Sequence, residues 1–177
     1  LKRMVSENLS YDEMNELASA VPVGSEGLSV LPFGNGAERI LNNRDRGAVF
    51  SGINFNIHNK RHLIRAAHEG IVFSFKYGMD IMKSTGINPS VIRAGKSNMF
   101  LSPVFGKTLA GLTGALVELY NTDGSTGAAL GAGLGCGYFA SPAEAFTNLK
   151  KLETILPDKK KSEEYHKAYE NWEQNLK

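Results

Sequence analysis

Cysteine is nearly missing from these 177 residues: Cys136 stands alone, so no intrachain disulfide and no cysteine-built metal cluster can hold the fold. A chain built without disulfides suits a reducing compartment, and a cytoplasmic location is expected. No run of about 18 apolar residues occurs, which leaves no candidate for a transmembrane helix. Leu1-Lys2-Arg3-Met4-Val5 runs into polar Ser6-Glu7-Asn8, so the apolar core of a secretory signal is absent. Neither sign of charge dominates: 20 Lys+Arg against 18 Asp+Glu gives +2, too little for a basic face that grips nucleic acid. Internal repeats and low-complexity linkers are also absent. What is present, 42% apolar residues with 21% charged, can bury the core of one ordinary domain. The chain opens with Leu, not Met, which points to a processed chain or a piece of something longer.

Residues 9–21 predict a helix. Ser10 caps it, Glu13 completes a capping box, and Met14, Leu17 and Val21 recur at helical spacing before Pro22 and Gly24. Residues 28–32 predict an extended piece running into the glycine turn Phe33-Gly34-Asn35-Gly36, and residues 47–56 a strand through Val49, Phe50, Ile53 and Phe55. A long helix follows over 60–84, with Leu63, Ala66, Ala67, Ile71, Phe75, Met79 and Met82 on its inner face and Gly86 as its stop. Residues 90–93 predict a strand, 94–98 a tight turn, and a helix then runs to about Leu112 with Met99, Phe105 and Leu109 inward. Residues 115–120 predict the next strand and 126–139 a helix. Its many glycines make sense where a helix packs very close to a sheet or a ligand. Ser141-Pro142-Ala143-Glu144 starts a further helix. Residues 162–176 predict a charged amphipathic helix whose Tyr165, Tyr169, Trp172 and Leu176 dock on the body. The alternation in the middle means a largely parallel α/β sheet.

Two strand-to-helix turns are rich in small residues: Ala94-Gly95-Lys96-Ser97-Asn98 and Asp123-Gly124-Ser125-Thr126-Gly127. Both would lie at carboxyl ends of strands, where open α/β sheets bind ligands. Free amides at a helix start attract anions, and bare glycines let a flat ring approach the backbone. The plainer reading is that tight turns need glycine anyway. Lys96-Ser97 resembles the end of a Walker phosphate loop, but Asn88-Pro89-Ser90-Val91 lacks the glycine that should open it, which disfavours a P-loop NTPase. His58, His62 and His68 lack a zincin motif and read as surface or hydrogen-bonded histidines, so no metal ligand is assigned. Cys136, among glycines on an apolar helix, reads as a buried small side chain. Glu38-Arg39 reads as a structural ion pair, and Lys159-Lys160-Lys161 before Glu163-Glu164 as a solvated face.

The run Leu28-x-x-Leu31-Pro32-Phe33-Gly34-Asn35-Gly36-Ala37-Glu38-Arg39, then Arg46-Gly47, Gly52-Ile53, His62-Leu63, Arg65-Ala66 and Glu69-Gly70-Ile71, goes further. In this order it resembles the C-terminal half of the FGGY family of carbohydrate kinases, the xylulokinase branch above all. Ala48, Phe50, Gly52-Ile53, His62-Leu63, Ala66-Ala67 and Glu69 fit the family's second signature; His68 departs, standing where an aliphatic or aromatic residue is expected. Residues 92–100 are similar to the family's adenosine loop, one residue shorter and with Arg93 in place of a glycine. Thr126-Gly127-Ala128-Ala129 is similar to the start of the family's following helix. The resemblance covers residues 9–139.

The resemblance implies an α/β domain of the actin-like ATPase, ribonuclease H-like class, incomplete because the first β-hairpin and its phosphate loop are not recognised. Residues 1–150 are then the nucleotide-binding C-terminal lobe and residues 151–177 its amphipathic helical tail. It implies ATP as cofactor, with Mg2+ riding on its phosphates. Gly95, Lys96, Ser97 and Asn98 would line the adenosine pocket, Asp123 and Gly124 would stand beside it, and Gly127 and Ala128 would let the next helix pack beneath. No catalytic residue is expected here: the base and the pentulose belong to an N-terminal lobe, which becomes a partner. The implied reaction converts D-xylulose to D-xylulose 5-phosphate. Glycerol, gluconate, ribulose, rhamnulose and fuculose kinases are alternatives within the family, and a non-catalytic nucleotide- or sugar-binding module is the rival outside it. A gap in the sheet between the 47–56 strand and the strand of Ile92 would leave edges open, so a homo-oligomer or a companion N-terminal piece is expected. No nucleic acid or membrane partner is expected.

Overall fold

Local capping chemistry sets most helix ends in the computed structural model, which describes residues 2–5, 8–36 and 38–176. Ser6 and Glu7, and Ala37 of the glycine-turn motif, lie outside the described residues. A single turn α1 (Lys2–Val5) precedes α2 (Tyr11–Ser19). Ser10 Oγ accepts from the Glu13 amide at 3.2 Å while the Glu13 carboxylate accepts from the Ser10 amide at 2.8 Å, the reciprocal box read from the sequence. α3 (Lys60–Ser84) starts in the same manner: Asn59 Oδ1 accepts from the Arg61 amide at 3.0 Å, and the Asn59 amide donates to His62 Nδ1 at 3.2 Å. It stops in a Schellman turn, with the Ile87 amide donating to the Met82 carbonyl at 3.1 Å and Gly86 at φ 87. α4 (Pro103–Thr113) ends on Gly114, α5 (Gly124–Gly135) is capped by Asp123, α6 (Pro142–Ala145) by Ser141, and α7 (Ser162–Gln174) closes the chain.

The strands make two sheets, not the largely parallel one expected. β1 (Ser29–Phe33) pairs antiparallel with β2 (Gly47–Ser51). β3 (Val91–Gly95) runs parallel to β4 (Leu116–Tyr120), which pairs antiparallel with β5 (Lys151–Ile155), a strand the sequence reading missed. β2 and β3 share no hydrogen bonds, so each has a single neighbour among the described residues. β2 also ends five residues earlier than expected, at Ser51. Gly52 turns the chain at φ 76, and a Cβ there would stand 2.5 Å from the Gly27 carbonyl oxygen. Ile53 and Phe55 are therefore exposed in a loop, not placed on a strand.

The core gathers Leu31 and Phe33 of β1, Phe73 of α3, Phe105 and Leu109 of α4, Val117 and Leu119 of β4, and Tyr165, Tyr169 and Trp172 of α7. Trp172 is fully buried and its Nε1 donates to the Val30 carbonyl at 2.9 Å, so the ring stripe of the last helix docks as expected. α3 buries a face only partly the one read: Ala66 is inside and Leu63, Ala67 and Ile71 pack half-buried on the core as expected, but His62, Arg65, Glu69, Gly70 and Phe73 are the residues turned fully inward, while Phe75 and Met82 are exposed. The reason is a close approach at Gly70, where a Cβ would lie 2.1 Å from the Val30 carbonyl oxygen, so β1 chooses the face.

α5 departs most from expectation. It starts two residues earlier, ends at Gly135, and buries no residue. Gly127, Gly131 and Gly135 face open space, so the close packing their presence suggested is not made within this chain. Cys136, expected buried, is exposed at the helix end for the same reason: nothing covers that side among the described residues. Glu38 and Arg39 form no ion pair; Glu38 is tied instead through its amide to the Arg44 carbonyl at 3.2 Å. No helix among the described residues is long and apolar enough to cross a membrane.

Candidate functional site

The two small-residue turns lie side by side at the carboxyl ends of β3 and β4. The Lys96 amide donates to the Tyr120 carbonyl at 2.8 Å, extending the parallel ladder by one bond past Gly95. Gly95 is where the turns touch: a Cβ would stand 2.1 Å from the Thr122 carbonyl oxygen and 3.1 Å from Asp123 Cα. Any side chain there would push the second turn away. Asn98 takes a left-handed φ of 50 to enter a short 3-10 turn, Asn98–Leu101, ahead of α4. Beside the junction opens a groove of about 550 Å³ lined by Arg93, Ala94, Gly95, Tyr120, Thr122, Phe146 and Leu149. Its walls are mainly apolar, and its volume falls within the range that small-molecule sites occupy.

Charges are arranged on its rim. Glu118 accepts from Lys151 Nζ and Arg93 Nε at 2.9 Å each and from the Tyr120 hydroxyl at 3.1 Å. The hydrogen bond from Lys151, then those from Arg93 and Tyr120, hold the Glu118 carboxyl down to about 2. Arg93 is thus directed across the strands by a carboxylate. Lys96 lends its backbone to the turn but not its head: Nζ reaches Glu153 Oε2 at 2.9 Å, on β5. Asp123 Oδ1 accepts from the Thr126 amide at 2.8 Å and from Ser125 Oγ at 2.7 Å. Those bonds, the Thr126 amide foremost, hold its carboxyl at about 2. A permanent anion therefore sits on the positive end of α5, which leaves that end unsuited to a phosphate. Ser97 is partly buried and makes no cap with its side chain; Gly124, Gly127 and Ala128 lie on the first turns of α5, largely in the open.

A second polar cluster was visible in the sequence only as family signature. Glu69, 2% exposed, accepts from the Gly24 amide and Ser25 Oγ at 3.1 Å each and from Arg65 Nε at 2.7 Å. Burial pushes its carboxyl up, while Arg65 and the two other donors pull it back. The cluster clamps a left-handed turn in which Ser25 and Glu26 stand at φ 49 and 53 between Gly24 and Gly27. His62 Nε2 meets Glu26 Oε2 at 2.7 Å and His58 Nε2 meets the Glu26 carbonyl at 3.2 Å, in keeping with hydrogen-bonded histidines; His68 departs from that expectation, its Nδ1 being buried on α3 without a hydrogen-bond partner. The Gly-Ser-Glu-Gly run was the available signal for that turn. No three His, Cys, Asp or Glu side chains converge among the described residues.

Comparison with known proteins joins these features to a family. The FGGY family of carbohydrate kinases, C-terminal domain, matches residues 2–138. The L-xylulose/3-keto-L-gulonate kinase of Escherichia coli (strain K12) is 30% identical over 170 residues, covering 93% of this chain and 33% of that protein. The xylulose kinase of Haemophilus influenzae is 27% identical, covering 93% of this chain and 34% of its own length. The crystal structure of xylulose kinase from Rhodospirillum rubrum superposes with a TM-score of 0.80 at 23% identity, over 98% of this chain and 35% of that one. Plasmodium falciparum glycerol kinase with ADP superposes with a TM-score of 0.71 at 20% identity, over 94% of this chain and 34% of that one. These superpositions show the fold, the α/β, actin-like ATPase arrangement of FGGY kinases. The chain spans about a third of the length of the curated relatives it matches.

Proposed function

The chain belongs to the FGGY family of carbohydrate kinases, and on that premise we propose that it is the nucleotide-binding lobe of an ATP-dependent sugar kinase that converts D-xylulose to D-xylulose 5-phosphate. The observation that carries this reading is the junction at Gly95. Two turns from neighbouring parallel strands touch there through a glycine, beside an apolar groove with room for a flat ring. The backbone of Gly95, the Ser97 hydroxyl and the Asn98 amide are the groups offered to the nucleoside, with Lys96 as backbone only because its ammonium is engaged by Glu153. Asp123 and Gly124 shape the neighbouring turn, and Gly127 and Ala128 continue it.

These residues fit the nucleoside and not the phosphates, since the Asp123 carboxylate holds the start of α5. ATP would supply the transferable phosphoryl group. This chain's share is then to orient the nucleoside and keep water from its ring; Mg2+ and the base for the sugar hydroxyl belong to chain outside these residues, as phosphoryl transfer needs both charge neutralisation and positioning. The xylulose preference rests on the names of relatives such as the xylulose kinases of Haemophilus influenzae and Escherichia coli; the L-xylulose/3-keto-L-gulonate kinase of Escherichia coli makes L-xylulose a further alternative. Gluconate and glycerol kinases share the fold and are the alternatives. A cytoplasmic location follows from the same reading.

Calorimetric titration with Mg-ADP tests it. Saturable binding is expected, weakened by about tenfold in the double variant Ser97→Ala, Asn98→Ala, as one or two lost hydrogen bonds predict. Heat that does not saturate, or an affinity indifferent to both substitutions, refutes the site. In an ADP-coupled assay with xylulose and Mg-ATP this chain by itself is expected to give no turnover.

A further inference from the structure

On the far side of Lys96 from the groove, between the start of α4 and β5, lies a cavity of about 490 Å³ that the nucleotide reading does not use. Three lysines, Lys96, Lys107 and Lys161, and the amino end of α4 border it. α4 opens on Ser102 and Pro103 with no side-chain cap, and its first closing bond is from the Gly106 amide to the Ser102 carbonyl at 3.3 Å. Pro103 has no N–H, so the amides of Val104 and Phe105 are the open donors of that turn. Ser102 itself lines the cavity, is 4% exposed, and its Oγ has no hydrogen-bond partner. A buried hydroxyl without a partner is uncommon in a folded protein, and a ligand that accepts from it removes the deficit. Lys107 and Lys161 are exposed and neither is in an ion pair with Glu153 or Asp158, the two carboxylates that also line the space. Glu153 is engaged with Lys96, and Asp158 Oδ1 accepts from the Lys160 amide at 3.0 Å.

We propose that this cavity binds the phosphate group of inorganic phosphate or a small phosphate ester. The anion sits on the amino end of α4, accepts from Ser102 Oγ and the open amides, and is balanced by Lys107 and Lys161. Helix dipole, backbone donors and mobile ammonium groups are the usual components of such a site. Lys96 connects it to the turn at Gly95, because an anion here competes with Glu153 for that ammonium.

The test uses the whole chain, labelled with nitrogen-15. It is titrated with sodium phosphate and, separately, with glycerol 3-phosphate, against sodium chloride at matched ionic strength. Saturable shifts at the amides of Ser102, Val104 and Phe105 are expected, with the dissociation constant raised at least tenfold in the double variant Lys107→Gln, Lys161→Gln. Both lysines are exposed, so that variant keeps the fold; Ser102→Ala, with an otherwise unchanged spectrum, is expected to weaken binding as well. Saturation by either probe upholds the site, and saturation by the ester alone adds that its organic part is required. Shifts that stay linear with both probes, that chloride reproduces, or that survive the double substitution overturn the proposal.

Discussion

Helices α4 and α5 leave the same sheet from adjacent parallel strands and both are built largely from small and apolar residues, yet their surroundings are opposite. α4 buries eight of its residues, Phe105, Leu109 and Leu112 among them, against α3, β4 and α7. α5 buries none. Their glycines serve different ends. At Gly111 in α4 a Cβ would stand 2.4 Å from the Tyr165 ring; at Gly131 in α5 it would meet nothing. One glycine admits an aromatic ring to the helix surface, and the other only weakens its own helix. Residue type by itself does not separate the two cases, because what differs is the partner, which comes from Tyr165, over fifty positions along the chain.

The largest effect that would sharpen this contrast is expected on the covered side. His68 lies on α3 with Nδ1 buried and unpartnered, and burial, reinforced by Arg65, lowers its pKa to about 4. Below about 6.5 the unfolded chain takes up a proton that the folded chain refuses until about 4. Stability should therefore be full above that window and fall by about 3 kcal/mol as pH drops through it. Urea denaturation at a series of pH values reads this, and His68→Phe should flatten the slope; an unchanged slope would falsify the assignment to His68. Next, Gly111→Ala should cost about 1–3 kcal/mol, since the Tyr165 ring must shift in a filled core. Smaller and opposite in sign, Gly131→Ala should stabilise the chain by about 1 kcal/mol or less through helix propensity alone. If both alanines destabilise alike, α5 is covered in solution and the contrast fails. The smallest effect is local. The Asp123 carboxyl is depressed to about 2 by the amide it caps, so its stabilisation of α5 is present above about 4 and is lost as pH falls toward 2. Amide exchange at Thr126 and Gly127 should quicken in that range without global unfolding.

Much of the fold could be read in advance wherever a few neighbouring residues decide it. The capping box of Ser10 and Glu13, the stop at Gly86 and the ring stripe of Tyr165, Tyr169 and Trp172 all appear as read. β5 escaped because Lys151-Leu152-Glu153-Thr154-Ile155 is an edge strand with almost every side chain in solvent, so it carries no buried face to betray it. Of the candidate site, the two turns at Gly95 and Asp123 were legible as turns. That Lys96 is engaged by Glu153 and that Asp123 spends its carboxylate on a cap was not, since both depend on distances set by packing. The clamp of Arg65 and Glu69 on the left-handed turn at Ser25 and Glu26 spans some forty residues and has no local pattern.

By itself the sequence determined the helices and most strands, their caps and stops, and membership of a kinase family whose spacing of small and apolar residues it carries. The tertiary structure alone decided which face of α3 is inside, that β1 and β2 stand apart from β3, β4 and β5, and that α5 with Cys136 is bare. Helix and turn formation rest on contacts within a few residues, so a short stretch of sequence contains both partners. Burial and charge pairing rest on partners brought together by the whole fold, and no short stretch contains those.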